Sequence, residues 1–307
     1  MTTTAISIIG CGNVGSRIGE FFSKEFVVIF YDINENVIKE LNKQGHICTT
    51  DLNYALDNTC ITFVAVPTPL ARNGLFDTSF LESVSKDIGG YLKISEDNKY
   101  HVFVVKSTVV PGTTENIIIP IIEKYSGKKE GKYWGIIYNP EFLTAIHNTW
   151  TDDKEFCISP SNEGRIVLGE SSNKKAGDIV EGVYKKLNPN IPILRTDYKT
   201  AEMTKLVANA RLALAISYSN QIFLLNKELK YKGIDIDTDF VINSLKMDSR
   251  IGQYGSVYGK AWGGPCFLKD TVALNQFIKN KTVNYPILIS GLIDINDIMK
   301  NKYGIRE

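Results

Sequence analysis

Short apolar segments alternate with amphipathic ones over the first two thirds of the chain. Strands are predicted at the apolar runs 5–9, 26–31, 60–66, 102–106, 133–138, 165–169 and 193–195. Helical spacing of apolar positions predicts helices at 16–22, 80–92 and 114–124. Strands that alternate with helices are typical of an α/β fold with a parallel, doubly wound sheet. We therefore predict such a domain over residues 1–198.

The pattern changes near residue 199. Residues 200–230 contain no proline or glycine and keep helical periodicity, which predicts one helix of roughly 45 Å at ~1.5 Å per residue. The stretch 231–303 is also mainly helical in pattern, apart from a loop at 252–266. We therefore predict that residues 199–307 form a long connecting helix followed by a mainly helical central domain.

A glycine-rich turn separates the first predicted strand from the first helix, and Asp32 closes the next strand. In a strand–helix–strand unit of the Rossmann type, such glycines allow a tight turn and close approach of a pyrophosphate at the helix N-terminus. An acid at position 32 binds ribose hydroxyls and repels a 2′-phosphate, so NAD is predicted rather than NADP. The predicted cofactor contacts in the turn are Gly10, Gly12, Asn13, Val14 and Gly15.

Composition narrows the classes of function. The chain is 43% hydrophobic with a formal net charge of +1, which provides no field for nucleic acid or an anionic membrane. No apolar run reaches membrane-spanning length, and the first strand begins too close to Met1 for a signal peptide. The cysteines and histidines are scattered without metal-ligand spacing, so we predict a cytoplasmic protein with no disulfide framework and no metal site.

The segment 263–270 places Cys266 behind a glycine pair and ahead of Asp270. A thiolate is a good nucleophile when its surroundings favour ionisation, and the glycines would let a substrate approach it. Read alone, this cysteine also fits a buried structural thiol. Because the same chain carries a dinucleotide-binding pattern, the segment indicates oxidation through a covalent thio-intermediate.

Other polar side chains lie where α/β proteins collect ligands. Lys205 and Asn209 share one face of the predicted long helix, and Thr108 and Glu141 follow predicted strand ends. Arg250 suits a phosphate or a carboxylate. Taken singly, each also fits a structural role, namely a solvated helix surface, a turn or cap, or a surface arginine.

Taken in order, these motifs resemble those of the UDP-glucose/GDP-mannose 6-dehydrogenase family, and the match runs through nearly the whole chain. GGPCFLKDT is the most specific, because few other families place a cysteine ahead of Lys-Asp in this way. The matching segments are GCGNVG (10–15), VAVPTPL (64–70), KSTVVPGTTE (106–115), NPEFL (139–143), RIVLGE (165–170), EMTKLVANARLALAISYSNQ (202–221), DSRIG (248–252) and GGPCFLKDT (263–271).

The resemblance implies a two-step oxidation of the C6 alcohol of a nucleotide-sugar to the carboxylate, with reduction of two NAD. Cys266 would capture the intermediate aldehyde as a thiohemiacetal and then become a thioester. Lys205 would stabilise the oxyanion. Asp270 and Asn209 would order a water molecule and the sugar hydroxyls.

Further roles follow from the same resemblance. Glu141 and Thr108 would manage the water that hydrolyses the thioester. Arg250 would reach into the site of a neighbouring subunit, since residues 200–230 would form the core of a homodimer. The remaining implied cofactor contacts are Pro67, Thr68, Ser107 and Thr108. The implied substrate-binding residues are Glu141, Phe142, Leu143, Lys205, Asn209, Arg250, Tyr254 and Gly263.

The chain departs from the family pattern in two ways. Ala145 stands where the family has a second glutamate, four residues after Glu141, and this affects the hydrolysis of the thioester. The family's third domain, which closes over the nucleotide-sugar, would begin where this chain stops. We therefore expect that domain to be absent, so that nucleotide-sugar binds weakly, a separate chain supplies the domain, or the substrate differs.

Two alternatives stay open at this point. A β-hydroxyacid dehydrogenase has about this length, an NAD domain and a helix with lysine and asparagine, but it performs one oxidation and needs no cysteine. An inactive NAD-binding subunit that needs a partner chain would also keep the first domain. The segment 263–270 favours the two-step oxidation over the single-step one.

Overall fold

The computed structural model of the chain describes residues 5–95, 99–144, 150, 158–264, 266–282 and 286–306. These residues divide between two compact units. The first consists of the described parts of Met1–Pro69, Phe76–Leu143 and Ile158–Lys205, and the second of those of Leu70–Leu75, Thr144–Cys157 and Leu206–Glu307. The division falls between Lys205 and Leu206, inside a helix, whereas the apolar pattern placed the domain border just before that helix.

The first unit contains one sheet. Its strands are β1 (Ala5–Ile9), β2 (Val27–Tyr31), β3 (Ile47–Thr49), β4 (Ile61–Val64), β5 (His101–Val105), β6 (Trp134–Tyr138), β7 (Ile166–Gly169) and β8 (Ile193–Thr196). Their order is β3-β2-β1-β4-β5-β6-β7-β8, which confirms the predicted doubly wound sheet. The pairing is parallel except between β6 and β7, which are antiparallel at Tyr138 and Gly169. The expectation of a wholly parallel sheet is wrong there, because alternating apolar segments do not encode strand direction.

The helices of this unit are α1 (Asn13–Phe22), α2 (Glu35–Lys43), α3 (Leu52–Asp57), α4 (Ser79–Ile94), α5 (Ile119–Ser126) and α6 (Lys175–Leu187), and a π-helical turn, Thr114–Ile118, precedes α5. The apolar pattern does not predict α2, β3, α3 or α6. In α2 only Ile38 and Leu41 are buried. Two apolar positions are too few to show a helical period in the sequence. β3 has three residues, too few to show alternation.

Two apolar layers, one on each face of the sheet, hold the first unit together. Ile8 and Ile9 of β1 belong to different layers, because successive side chains of a strand point to opposite faces. In one layer Phe63 is fully buried. Its ring centroid lies 4.6 Å from that of Phe22 on α1 and 6.5 Å from that of Tyr184 on α6. β4 therefore packs against these two helices.

The second unit is built on helices. They are α7 (Tyr198–Tyr231), which begins in the first unit, α8 (Thr238–Lys246), α9 (Phe267–Lys281) and α10 (Ile287–Tyr303). The long helix predicted at 200–230 is thus confirmed.

Trp262 lies at the centre of this second unit. It is 1% exposed, in an apolar cluster with Ile216 and Leu292. Its indole N–H donates to Ser217 Oγ at 2.9 Å, and its backbone N–H and carbonyl bind the Asn296 amide at 2.8 and 3.0 Å. These contacts fix the loop that leads into α9.

Three general observations concern the described part of the chain. Within it, no helix combines the length and the apolar composition needed to cross a membrane. The same residues hold no group of three or more histidine, cysteine, aspartate or glutamate side chains arranged for a metal ion. Cys11, Cys48, Cys60 and Cys266 are free of disulfides, and Cys157 lies outside the described residues.

We expect Phe63→Ala to lower the free energy of unfolding by ~3–5 kcal/mol, because it leaves a cavity in the layer between β4 and α1. Urea unfolding followed by circular dichroism measures this. Phe80→Ala is the matched control, since Phe80 is 46% exposed on α4, and it should cost less than about 1 kcal/mol. Equal losses in the two variants would contradict the described core.

Candidate active site

The turn after β1 requires glycine at two positions. Gly10 has φ of +87°, a region that favours glycine. A Cβ atom at Gly15 would lie 1.9 Å from the Gly10 carbonyl oxygen, so α1 approaches the turn this closely only without a side chain. A Cβ atom at Gly12 would meet nothing within 4 Å. α1 has neither a side-chain cap nor an acid in its first turn, and a helix N-terminus of this kind suits the phosphates of a dinucleotide.

Asp32 follows β2, and its carboxylate is fixed beside this turn. Oδ2 accepts the Cys11 N–H at 2.8 Å, and Oδ1 accepts the Asn34 N–H at 2.9 Å. Burial, aided by the charge of Asp32, raises the pKa of the Cys11 thiol, which therefore stays protonated and donates to the Tyr31 carbonyl at 3.3 Å. The turn and the predicted ribose-binding acid are thus held together, while Cys11 is a structural thiol.

The order of the strands places the glycine turn at the switch point of the sheet, where β1 lies between β2 and β4. Ligands of open parallel sheets bind at this point, beyond the carboxyl ends of the strands. At the same edge Thr68 Oγ1 donates to the Thr108 carbonyl at 2.8 Å, and Ser107 Oγ donates to the Val66 carbonyl at 2.6 Å. Pro67 is exposed beside them. The structure therefore brings the predicted cofactor residues to one edge.

Lys205 and Glu141 form a buried ion pair in the first unit. They are 2% and 6% exposed, and Lys205 Nζ lies 3.1 Å from Glu141 Oε1 and 2.6 Å from the Glu141 carbonyl oxygen. Glu141 Oε2 accepts the Leu143 N–H at 2.7 Å. Burial alone would raise the pKa of Glu141, but Lys205, the Leu143 N–H and Lys106 together lower it. Glu141 is therefore held as a carboxylate.

Two more buried charges lie beside this pair, and sequence reasoning did not single them out. Lys106 Nζ donates to Asn139 Oδ1 at 3.0 Å and to the Pro140 carbonyl at 3.3 Å. Glu163 Oε1 accepts the Phe142 N–H at 3.1 Å. A lysine directly after an apolar strand is a signal that could have pointed to Lys106. Glu163 lies in a polar stretch ahead of β7 and carries no comparable signal.

Burial shifts the pKa values of Lys106 and Glu163 in the directions that disfavour their charged forms. Burial lowers the pKa of Lys106 to about 8, although Glu163 and Glu141 oppose the change. Burial raises the pKa of Glu163, although Lys106 opposes that change. Buried groups with shifted pKa values cluster at functional sites, so the first unit carries a second candidate region besides the glycine turn.

Cys266, Asp270 and Asn209 are assembled in the second unit. Cys266 precedes α9, and its carbonyl accepts the Asp270 N–H at 3.0 Å, so the two residues lie one helical turn apart. The Asp270 carboxylate is fully buried. Its Oδ2 accepts Asn209 Nδ2 at 2.6 Å, and its Oδ1 accepts Lys269 Nζ at 2.6 Å. The structure thus joins three of the predicted residues within one unit.

The other predicted residues of this unit have different surroundings. The Arg250 side chain is 87% exposed and pairs with Asp248 at 2.6 Å. Tyr254 packs against the apolar cluster of the second unit. A Cβ atom at Gly263 would lie 2.5 Å from Ile305 Cγ2, so close packing already accounts for glycine at this position.

Phe142 lies between two cations in the first unit. The Arg165 guanidinium carbon is 4.2 Å from the ring centroid, and Lys205 Nζ is 5.6 Å from it. Leu143 is partly buried. Ala145, the departure from the family pattern, lies outside the described residues.

The doubly wound sheet, the glycine turn at its switch point and the acid beside that turn are the features of a dinucleotide-binding protein of the Rossmann type. Two family models match the chain and narrow this class. The NAD binding domain of the UDP-glucose/GDP-mannose dehydrogenase family matches residues 43–188, and the central domain of the same family matches residues 199–298. The chain belongs to the UDP-glucose/GDP-mannose dehydrogenase family. The resemblance in the motifs is confirmed, as is NAD as the cofactor.

Curated relatives agree with this assignment. UDP-glucose 6-dehydrogenase AglM of Haloferax volcanii is 34% identical over 315 residues, which cover 95% of this chain and 69% of that protein. GDP-mannose 6-dehydrogenase of Pseudomonas aeruginosa is 35% identical over 258 residues, which cover 83% of this chain and 55% of that protein. The chain spans little more than half of the length of the latter enzyme.

Solved structures of the family have the same fold. A UDP-glucose dehydrogenase from Pyrobaculum islandicum matches with a TM-score of 0.81 at 26% identity, over 97% of this chain and 69% of that one. A GDP-mannose dehydrogenase from Pseudomonas aeruginosa matches with a TM-score of 0.69 at 31% identity over the same shares. A 3-hydroxyisobutyrate dehydrogenase from Mycobacterium tuberculosis matches at 0.68 with 13% identity, over 100% of this chain and 97% of that one, which shows a shared fold alone.

We expect NAD to bind more tightly than NADP. Asp32→Ala should reduce the ratio of the two affinities by about tenfold or more, because NAD loses hydrogen bonds to a charged group and NADP loses the repulsion of its 2′-phosphate. Titration calorimetry with both cofactors measures this. Glu35→Ala, which removes an exposed acid at the start of α2, is the control and should keep the native preference. Equal affinity of the native chain for the two cofactors would overturn the assignment of Asp32.

Proposed function

We propose that this protein oxidises the C6 alcohol of a nucleotide-sugar to the carboxylate in two steps, of the type UDP-glucose to UDP-glucuronate. Membership of the family and the activities of its named relatives support this. The observation that carries the proposal is the arrangement in the second unit. A thiol stands at the N-terminus of α9, a buried carboxylate follows one turn later, and the amide of Asn209 is bound to that carboxylate.

Cys266 is the proposed nucleophile. A helix N-terminus favours negative charge, and therefore a thiolate, at that end. The sulfur adds to the aldehyde carbon produced by the first oxidation and forms a thiohemiacetal. The second oxidation converts it to a thioester. Water then attacks the acyl carbon, the C–S bond breaks with its electron pair on sulfur, and the carboxylate leaves. Covalent capture keeps the reactive aldehyde bound throughout.

Asp270 and Asn209 order the sugar hydroxyls and a water molecule in this scheme. The carboxylate of Asp270 is fully buried, and both of its oxygens accept hydrogen bonds, so its position is fixed before substrate binds. Asn209 donates through Nδ2, and its amide oxygen can accept a hydrogen bond from a sugar hydroxyl.

The first unit supplies the charged groups. Lys205 stabilises the oxyanion that develops on the substrate. Glu141 and Thr108 act on the water that hydrolyses the thioester. The Lys205–Glu141 pair is almost fully buried, and charges in such surroundings act more strongly than in water. The lowered pKa of Glu141 keeps the charge of the pair balanced.

NAD is held by the glycine turn, Asp32, and the edge residues Pro67, Thr68, Ser107 and Thr108. A bound NAD would supply the hydride acceptor for each oxidation, so that two NAD molecules would be reduced in turn. The N–H groups at the start of α1 would hold the pyrophosphate, and Asp32 would hold the adenine ribose.

The remaining residues are proposed to bind substrate. Phe142 and Leu143 adjoin Glu141 in sequence, and Tyr254 and Gly263 belong to the loops ahead of α9. Arg250 is exposed and pairs with Asp248, and we propose that its guanidinium exchanges this partner for the substrate in the site of a second copy of the chain.

We propose further that the chain forms a homodimer through α7. Val207, Tyr218 and Leu225 are 49%, 55% and 45% exposed, and their spacing places them on one face of the helix. Apolar and aromatic side chains of this kind are typical of the centre of an interface.

A single-step oxidation of the β-hydroxyacid dehydrogenase type is the alternative. The likeness to 3-hydroxyisobutyrate dehydrogenase extends to the fold alone. A single-step oxidation forms no covalent intermediate, so it does not require a thiol at the start of α9 beside the buried Asp270–Asn209 pair. An inactive NAD-binding subunit would bind NAD and produce no NADH.

We expect two NADH per molecule of acid, and Cys266→Ser to lower acid formation by about a thousandfold or more, since removal of a nucleophile costs at least this much in comparable enzymes. Absorbance of NADH and mass spectrometry of the sugar product, across a panel of nucleotide-sugars, measure both quantities. Cys60→Ser removes a thiol of the first unit and should leave turnover unchanged.

Alkylation should favour Cys266 over the other cysteines, and bound substrate should protect it. Full activity of the serine variant, or uniform labelling of all thiols, would rule out covalent catalysis. One NADH per product with no acid formed would establish the single-step alternative instead.

We expect light scattering to show at least a dimer at micromolar concentration, and Tyr218→Glu to shift it toward the monomer, because a charge in the centre of the proposed interface is left unpaired. Tyr54→Glu is the control, since Tyr54 is 47% exposed and lies on α3 of the first unit. A native monomer would remove both the dimer and the role of Arg250 toward a second copy.

A further inference from the structure

Four charged side chains bind four consecutive residues of the chain, the segment 140–143, through their backbone. Lys106 and Lys205 donate to the first two carbonyl oxygens, at 3.3 and 2.6 Å. Glu163 and Glu141 accept the next two N–H groups, at 3.1 and 2.7 Å. Each residue of this run therefore has one backbone group bound by a charged side chain.

These four groups are buried together. Lys106, Lys205, Glu163 and Glu141 are 3%, 2%, 8% and 6% exposed. Burial of ions is unfavourable unless opposite charges and hydrogen bonds offset it. Two lysines and two glutamates bring no net charge, so removal of any one of them leaves an excess charge in the interior.

The four groups divide into two pairs. Lys205 and Glu141 are in direct contact at 3.1 Å and belong to the proposed reaction. Glu163 is the opposite charge that acts most strongly on Lys106, and Lys106 is the opposite charge that acts most strongly on Glu163. Neither residue has a role in the proposed chemistry. They hold the backbone on either side of Glu141, at Pro140 and at Phe142.

We propose that Lys106 and Glu163 are a positioning pair for Glu141 and Lys205. The pair fixes the backbone of the segment 140–143 and balances the buried charge of Glu141 and Lys205. The importance of this pair for catalysis rests on the proposed function. The pair acts through the backbone and through charge, and contact with substrate is not part of its role.

The direction of the pKa shifts agrees with this division. Burial lowers the pKa of Lys106 to about 8 and raises that of Glu163, whereas the pKa of Glu141 is lowered by Lys205 and its other partners despite burial. The partners of Glu141 thus favour its charged form, whereas burial acts against the charged forms of Lys106 and Glu163.

Among the described residues, Tyr184 on α6 is a further titratable group beside the pair. Its hydroxyl donates to Asn139 Oδ1 at 2.5 Å, the oxygen that also accepts Lys106. Burial and the charge of Glu163 raise the pKa of Tyr184, so it stays neutral. The charged groups of the described chain that act on the segment 140–143 or on the pair are Lys106 after β5, Glu141 after β6, Glu163 and Arg165 ahead of β7, and Lys205 on α7.

The test uses two variants that change charge and keep shape. Glu163→Gln retains an oxygen for the Phe142 N–H and removes a negative charge. Lys106→Met retains the apolar stem and removes a positive charge. Calorimetric binding of NAD by each variant shows that the first unit is folded. Glu35→Gln and Lys39→Met, which change an exposed pair on α2, are the matched controls and should leave the pH profile of kcat in place.

We expect the two variants to move the pH profile of kcat in opposite directions. Glu163→Gln removes a negative charge, so both limbs move to lower pH, by roughly one pH unit or a tenfold change in proton affinity. Lys106→Met removes a positive charge, so both limbs move to higher pH. The double variant should return toward the native profile, and Lys106→Arg should leave the limbs unmoved. Variants that lose activity while both limbs stay in place would show a merely structural role and overturn the proposal.

Carbon NMR titration of the labelled glutamate carboxyl and lysine ε carbons repeats the comparison without substrate. Opposite displacement of the titration curves in a protein that shows no turnover supports the pair and counts against the proposed function. Turnover together with curves that do not move, or move in the same direction in both variants, supports the function and overturns the pair.

Discussion

Parallel pairing of β1 with both β2 and β4 is the constraint on which the rest of the first unit depends. Because parallel strands end at the same edge of a sheet, the glycine turn, Asp32 and Thr68 must lie along one edge. Apolar side chains on both faces fix the register, since a slip of one residue would move Ile8 and Ile9 to the wrong layers. The cofactor edge therefore follows from strand direction and burial, before any contact with a ligand.

A second constraint acts on the loops after β5 and β6. These loops carry Lys106 and Glu141 into the interior, where charges are tolerated only with partners. Lys205 from α7 and Glu163 from the loop ahead of β7 provide them, and the backbone between residues 140 and 143 is fixed as a result. In the second unit the same principle operates with fewer groups, because Asn209 and Lys269 both bind the buried carboxylate of Asp270.

Much of the fold follows from local patterns along the chain. Each predicted strand has a counterpart in the sheet, and residues 200–230 form one helix, because apolar period and the absence of glycine and proline act over a few neighbouring residues. The glycine turn and Asp32 were predictable for the same reason, since their spacing within one strand–helix–strand unit determines their proximity. The segment 263–270 pointed to Cys266 and Asp270, which a single helical turn holds together.

The sequence by itself determined the fold class, the long helix, the glycine turn and the candidate nucleophile, all of which depend on residues close together in the chain. Only the tertiary structure decided the antiparallel pairing of β6 with β7, the burial of Lys106 and the contact of Glu163 with the Phe142 N–H, across 21 residues of sequence. It also showed that Gly263 lies against Ile305. Such contacts depend on which distant segments pack together, and desolvation then selects the partner for each charge, so no local pattern specifies them.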